Sequence, residues 1–141
     1  MDPNIWGPHY WFTLHSIAST FPEHPNETVK KKYYDFIHNL PLFIPNREIG
    51  NLILKLLDKY PVGPYLQNRL SLMKWFHFIH NKINAKLDKP ESSFHDSFES
   101  YYNHYKPKEI VNHEWIKKKK KMIQIATLIS IFFLTIYIYN K

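Results

Sequence analysis

Nine histidines and no cysteine define the chemistry open to this 141-residue chain. His9, His15, His24, His38, His77, His80, His95, His104 and His113 supply imidazoles, and nothing supplies a thiolate. Disulfides, cysteine nucleophiles and cysteine metal sites are therefore excluded within the chain. His77 and His80 stand three apart, a spacing that can put two imidazoles on one metal if a third ligand joins them. No E-x-x-H or H-E-x-x-H pattern offers one, and no metal site is predicted. A G-x-S-x-G nucleophile motif is absent, and so is a recognisable pair of catalytic carboxylates. With only three glycines, a Gly-rich phosphate loop is not expected.

The remaining charged feature is a run of five lysines, Lys117, Lys118, Lys119, Lys120 and Lys121. It supplies most of the net charge of +7, and the rest of the chain carries only +2. Such a run can bind phosphate backbones or anionic lipid. The segment beyond the lysines decides between these partners. Residues 122–139 read MIQIATLISIFFLTIYIY, without one charged side chain. At 1.5 Å per residue an 18-residue helix spans roughly 27 Å, near the hydrocarbon thickness of a thin bilayer. Tyr137 and Tyr139 fall where an interfacial aromatic belt lies. The reading is a single-pass transmembrane helix over 122–139, and nucleic acid is not the expected partner. Lysines beside a span stay on the cytoplasmic side, which predicts a tail anchor with the N-terminal domain in the cytosol.

The elements ahead of the span are short helices joined by prolines. Trp11, Leu14, His15 and Ala18 share one helical face, and Phe21-Pro22 ends that helix. Asn26 is a candidate cap for a second helix over residues 31–40, with Tyr33, Phe36, Ile37 and Leu40 inward. Pro41 and Pro45 break it. A third helix is predicted over 49–57. The longest covers 69–87, with Leu72, Trp75, Phe76, Ile79, Ile83 and Leu87 as its apolar stripe. A short fifth is expected over 93–105. No period-2 strand pattern is present, so the fold class is all-α, a helical bundle with short connections. The chain thus divides into a helical domain over 1–105, a polar and basic linker over 106–121, and the span over 122–139. Residues 106–116 read either as linker or as a helix continuing into the span.

Two stretches carry a resemblance. Trp6-Gly7-Pro8-His9-Tyr10-Trp11-Phe12-Thr13-Leu14-His15, followed by Ala18 and Phe21-Pro22, is similar to the opening of the Erv/ALR sulfhydryl oxidases. Trp75-Phe76-His77-Phe78-Ile79-His80-Asn81-Lys82-Ile83-Asn84-Ala85-Lys86-Leu87-Asp88-Lys89-Pro90 resembles their second signature, W-x-x-x-x-H-N-x-V-N-x-x-L-G-K-P. Both occur in the family's order and spacing, and together they cover about two-thirds of the chain. The layout resembles the short viral members, some of which carry a membrane anchor. The resemblance implies a four-helix bundle plus a short fifth helix, non-covalent FAD and a dimer. It also implies flavin contacts at Trp11, His15, His80, Asn81, Asn84, Lys86 and Lys89, with Tyr101 where the family has a tryptophan near the adenine. The residue types suit that task. Amides and imidazoles bond polar ring and ribose atoms, lysines neutralise a pyrophosphate, and aromatic faces stack on planar rings. The bland reading is that the tryptophans are core residues and that His80 and Asn81 cap a helix end.

The resemblance fails at the redox centre. The family's C-x-x-C falls on Asn46 and Ile49, neither of which forms a thiolate or a mixed disulfide. Asp88 replaces the usual glycine after Leu87 and brings a carboxylate towards a pyrophosphate, an unfavourable pairing of like charges. The implied function is a membrane-anchored, sulfhydryl-oxidase-like flavoprotein, a pseudoenzyme. It would bind FAD or dimerise in a viral disulfide-forming system, as a homodimer or with an active family member. Protein thiols are substrates only if a partner supplies cysteines. The membrane would be that of a virion or one derived from host endoplasmic reticulum. The rivals are a flavin-linked sulfhydryl oxidase, which the family assignment alone suggests, and a cofactor-free membrane-anchored virion protein.

Overall fold

A computed structural model describes residues 1–140. It consists of helices α1 (Pro3–Ser19), α2 (Glu27–Asn39), α3 (Arg47–Lys59), α4 (Arg69–Lys86), α5 (Phe94–Asn103) and α6 (Lys108–Tyr139), with 3₁₀ turns at Leu40–Phe43 and Gly63–Tyr65. Among the described residues there is no strand.

One device starts three of these helices. Asn26 Oδ1 accepts the Val29 amide of α2 at 2.9 Å. Asn46 Oδ1 accepts the Ile49 amide of α3 at 3.1 Å. Asn68 Oδ1 accepts the Ser71 amide of α4 at 2.9 Å. Each satisfies an amide that the helix itself leaves without a partner. In α1 the same task falls to Asp2, whose carboxylate accepts the Asn4 amide at 2.8 Å, and Pro3 takes the first helical position, where no amide is needed.

The chain divides into two compact units, Met1–Tyr101 and Tyr102–Lys141. In the first, α1 packs along α4. The core gathers Leu14, Ala18 and Phe21 with Ile37, Ile53 and Leu57 and with the α4 stripe of Leu72, Trp75, Phe76, Ile79 and Ile83. No polar or charged residue among those described is fully buried, so the core does not have to offset desolvated charges. Side-chain bonds to backbone carbonyls fasten the connections. Arg69 Nε donates to Phe21 O (2.7 Å), Trp75 Nε1 to Tyr60 O (3.1 Å) and the Tyr10 hydroxyl to Phe43 O (2.9 Å). The Leu40–Phe43 turn lies so close to α3 that a Cβ on Gly50 would stand 2.8 Å from the Pro41 carbonyl oxygen.

The second unit is built on α6, one continuous helix through the lysine run and the apolar segment. Over Asn112–Tyr139 it is long and apolar enough to cross a membrane, and its side chains are exposed.

Candidate functional site

Trp11 and His15 lie one turn apart on α1, facing His80 near the end of α4. The Trp11 and His80 rings stack at 3.9 Å between centroids and 12° between planes. His15 Nε2 and His80 Nδ1 are 3.3 Å apart, within hydrogen-bond reach. Burial pushes His15 down to about 4, helped by the charge of His77. Burial pushes His80 down to about 3, with His15, His77 and Lys89 each adding in the same direction. Both rings are therefore neutral near pH 7, so one can donate its N–H while the other accepts. The pair leaves one ring nitrogen on each histidine for another partner.

Tyr101 closes this cluster from α5. It is 8% exposed, and its hydroxyl donates to Ser16 Oγ at 2.9 Å, with Ser19 Oγ at 3.4 Å. Its ring lies 5.3 Å from Phe12 and 6.4 Å from His15. Beside it opens a narrow cleft lined by His15, Met73, His77, Phe94, Ser97 and Tyr101. His77 Nδ1 is buried there without a hydrogen-bond partner.

The other predicted residues occupy the end of α4. Asn81 serves the local fold. Its Nδ2 donates to Ser92 O (2.8 Å) and its Oδ1 accepts from Ser92 N (3.3 Å), while His77 Nε2 lies 3.2 Å from Nδ2. The amide is thereby committed to holding the 88–93 connection. Asn84 works through its backbone, accepting the amides of Leu87 (3.0 Å) and Lys89 (2.9 Å). That second bond completes a Schellman-type stop, which requires a left-handed residue at position 88. Asp88 occupies it at φ 53°, the conformation that glycine adopts without cost. The stop brings Lys89 back towards His80, while Lys86 is exposed on the last turn. Ser16 and Met73 carry no signal in the sequence, because their types hold no chemistry until α5 is seen to pack over them.

At the redox positions, Asn46 is the cap of α3 and Ile49 is a core residue, 6% exposed. The two are joined by the cap hydrogen bond itself. Among the described residues no group of three His, Asp or Glu side chains could hold a metal ion.

Helical bundle, aromatic–imidazole cluster and Asn-x-x-Ile helix start together define a sulfhydryl-oxidase-type fold without its thiols. The sequence profile of the Erv1/Alr family matches residues 8–106, and the chain belongs to that family. A protein of Invertebrate iridescent virus 3 named as an FAD-linked sulfhydryl oxidase is 28% identical over 101 residues, covering 72% of this chain and 68% of its own. Another, from Acanthamoeba polyphaga mimivirus and also named as an FAD-linked sulfhydryl oxidase, is 28% identical over 116 residues, covering 82% and 81%. The crystal structure of the FAD-binding domain of Erv1 from Saccharomyces cerevisiae superposes with a TM-score of 0.63 at 27% identity, over 67% of this chain and 89% of that one.

Proposed function

We propose that this chain is an FAD-binding, membrane-anchored member of the Erv1/Alr family with no thiol oxidase activity of its own. The observation that carries this reading is the fate of the redox positions. Asn46 and Ile49 have become a helix cap and a core side chain, and no cysteine elsewhere can stand in. A dithiol cannot be oxidised through residues that form no thiolate.

The residues suit a flavin. Trp11 and Tyr101 offer aromatic faces, and neutral His15 and His80 each keep one ring nitrogen for a ligand edge. Lys86 and Lys89 can balance a pyrophosphate. The orphaned His77 Nδ1 marks a buried polar atom that a bound molecule can satisfy. FAD, when bound, supplies two-electron redox chemistry, whereas this chain's residues bind and orient it and deliver no electrons from a thiol. The function is then one of binding: a homodimer, or a heterodimer with an active family member whose cysteines meet protein thiols. Residues 1–105 form the flavin domain and 106–121 the basic connection. Residues 122–139 form the tail anchor, and the lysines keep the domain cytosolic on a virion or host-derived membrane.

The test is the visible absorption spectrum of the full chain purified in detergent, paired with oxygen consumption in the presence of a dithiol. The expected result is a flavin band with one flavin per chain and no oxygen consumption above free flavin. Catalytic thiol oxidation would refute the loss of activity. A colourless, folded, helical protein would favour a cofactor-free anchor protein, a second reading that one observation supports: Trp11 and His80 already stack on each other and leave no slot for a ring between them.

A further inference from the structure

The membrane-anchored reading leaves the five lysines with no task beyond orientation, and their geometry gives them one. Because α6 is continuous from Lys108 to Tyr139, Lys117 to Lys121 occupy successive helical positions about 100° apart. They therefore surround the helix instead of lining one face, and all five are exposed. Lys121 adjoins the first apolar residue and Lys117 lies about 7.5 Å before it, so the collar is as deep as one headgroup layer, roughly 5–7 Å. Little acid stands beside it on the helix. Glu114 is the single acid in residues 110–139, and its carboxylate is engaged by Lys106 Nζ at 3.4 Å. Trp115 stands just outside the collar, 61% exposed, with the Lys119 ammonium 5.0 Å from its ring centroid.

We infer that this collar is a binding site for the phosphate-bearing headgroups of anionic phospholipids, which it gathers around the helix on every side. Recognition is by charge density, not by the shape of one headgroup, because no single face holds the cations. Each lysine then contributes alike. A pocket for one defined lipid would instead depend on one or two of them. The apolar segment that begins at Met122 keeps the collar at the bilayer surface, where lipid phosphates outnumber any other polyanion. This inference rests on the membrane-anchored reading.

The experiment reconstitutes the full chain into phosphatidylcholine nanodiscs carrying a trace of spin-labelled phosphatidylserine or spin-labelled phosphatidylcholine. The motionally restricted fraction then gives the relative association of the two lipids. The expected result is at least about a fivefold preference for phosphatidylserine, the ratio that corresponds to about 1 kcal/mol for one lysine at the surface. The preference should collapse in about 1 M salt, where the screening length is only about 3 Å. It should vanish in K117Q/K118Q/K119Q/K120Q/K121Q and fall by similar factors in each single Lys→Gln variant. No preference in the unaltered chain, or a preference that survives the fivefold substitution, overturns the proposal. Displacement of the labelled phosphatidylserine by oligouridylate, but not by inorganic phosphate, would assign the collar to nucleic acid and also overturn it. Extraction of the chain from phosphatidylcholine vesicles by alkaline carbonate is a separate outcome: it refutes the anchor reading itself.

Discussion

Asn46 illustrates how a residue that is lost to chemistry can be kept by folding. Its side-chain oxygen satisfies the Ile49 amide at the start of α3, and Asn46→Ala removes that acceptor without changing any core contact. The expected cost is about 1 kcal/mol of stability, read as a lower denaturation midpoint, while Asn46→Asp should retain most of it because a carboxylate also suits a helix N-terminus. Asp88 presents the opposite case. It holds φ 53° with a Cβ in the way, a strain of roughly 1 kcal/mol for a non-glycine residue. Asp88→Gly is therefore expected to raise the midpoint by less than that amount, because the greater freedom of glycine in the unfolded chain offsets part of it. It should also tighten flavin binding, measured by titration of the apoprotein, because a carboxylate leaves the neighbourhood of Lys86 and Lys89.

At the scale of elements, the Leu40–Phe43 turn and α3 meet at Gly50. Gly50→Ala would drive a Cβ to 2.8 Å from a backbone oxygen that has no flexible end to yield. A loss of about 1–3 kcal/mol is expected, the range for overpacking, and urea unfolding of the detergent-solubilised chain measures it. The helices themselves are largely readable from the sequence. Apolar periodicity and proline positions place a second helix behind its Asn26 cap, a long fourth helix from residue 69 and a short fifth, though the second runs over Glu27–Asn39 instead of 31–40 and leaves Phe36 exposed. The starts are less readable. The third helix begins at Arg47 instead of 49, because Asn46 reads as a cap only once the chain ahead of it is known to be extended. The Leu40–Phe43 turn is hidden by Pro41, which signals a break but not that a tight turn continues from it. For the site, the pairing of α1 with the end of α4 comes from the resemblance. The Trp11–His80 stack and the use of Asn81 on Ser92 are three-dimensional facts with no sequence signal.

For the molecule as a whole, acid is the informative perturbation. His15 and His80 fall from 6.5 in the unfolded chain to about 4 and about 3 in the fold, so between those values the unfolded state binds more protons. Stability must then rise with pH across that window and level off above about 6.5. Lowering the pH from 7 to 5 is expected to reduce the denaturation midpoint, and a His15→Gln, His80→Gln double variant should show a flatter profile. A pH-independent midpoint in the unaltered chain would show that these rings are not buried neutral.

The cap between Asn46 and Ile49 has a consequence in time. A helix start held by a hydrogen bond closes as fast as the helix itself, on the order of microseconds, whereas thiol–disulfide exchange takes seconds to hours. This bundle can therefore mature without waiting for an oxidant, and no intermediate along the way can be trapped by a wrongly paired sulfur. Newly made chains can reach their final form in a compartment where oxidation has not yet begun.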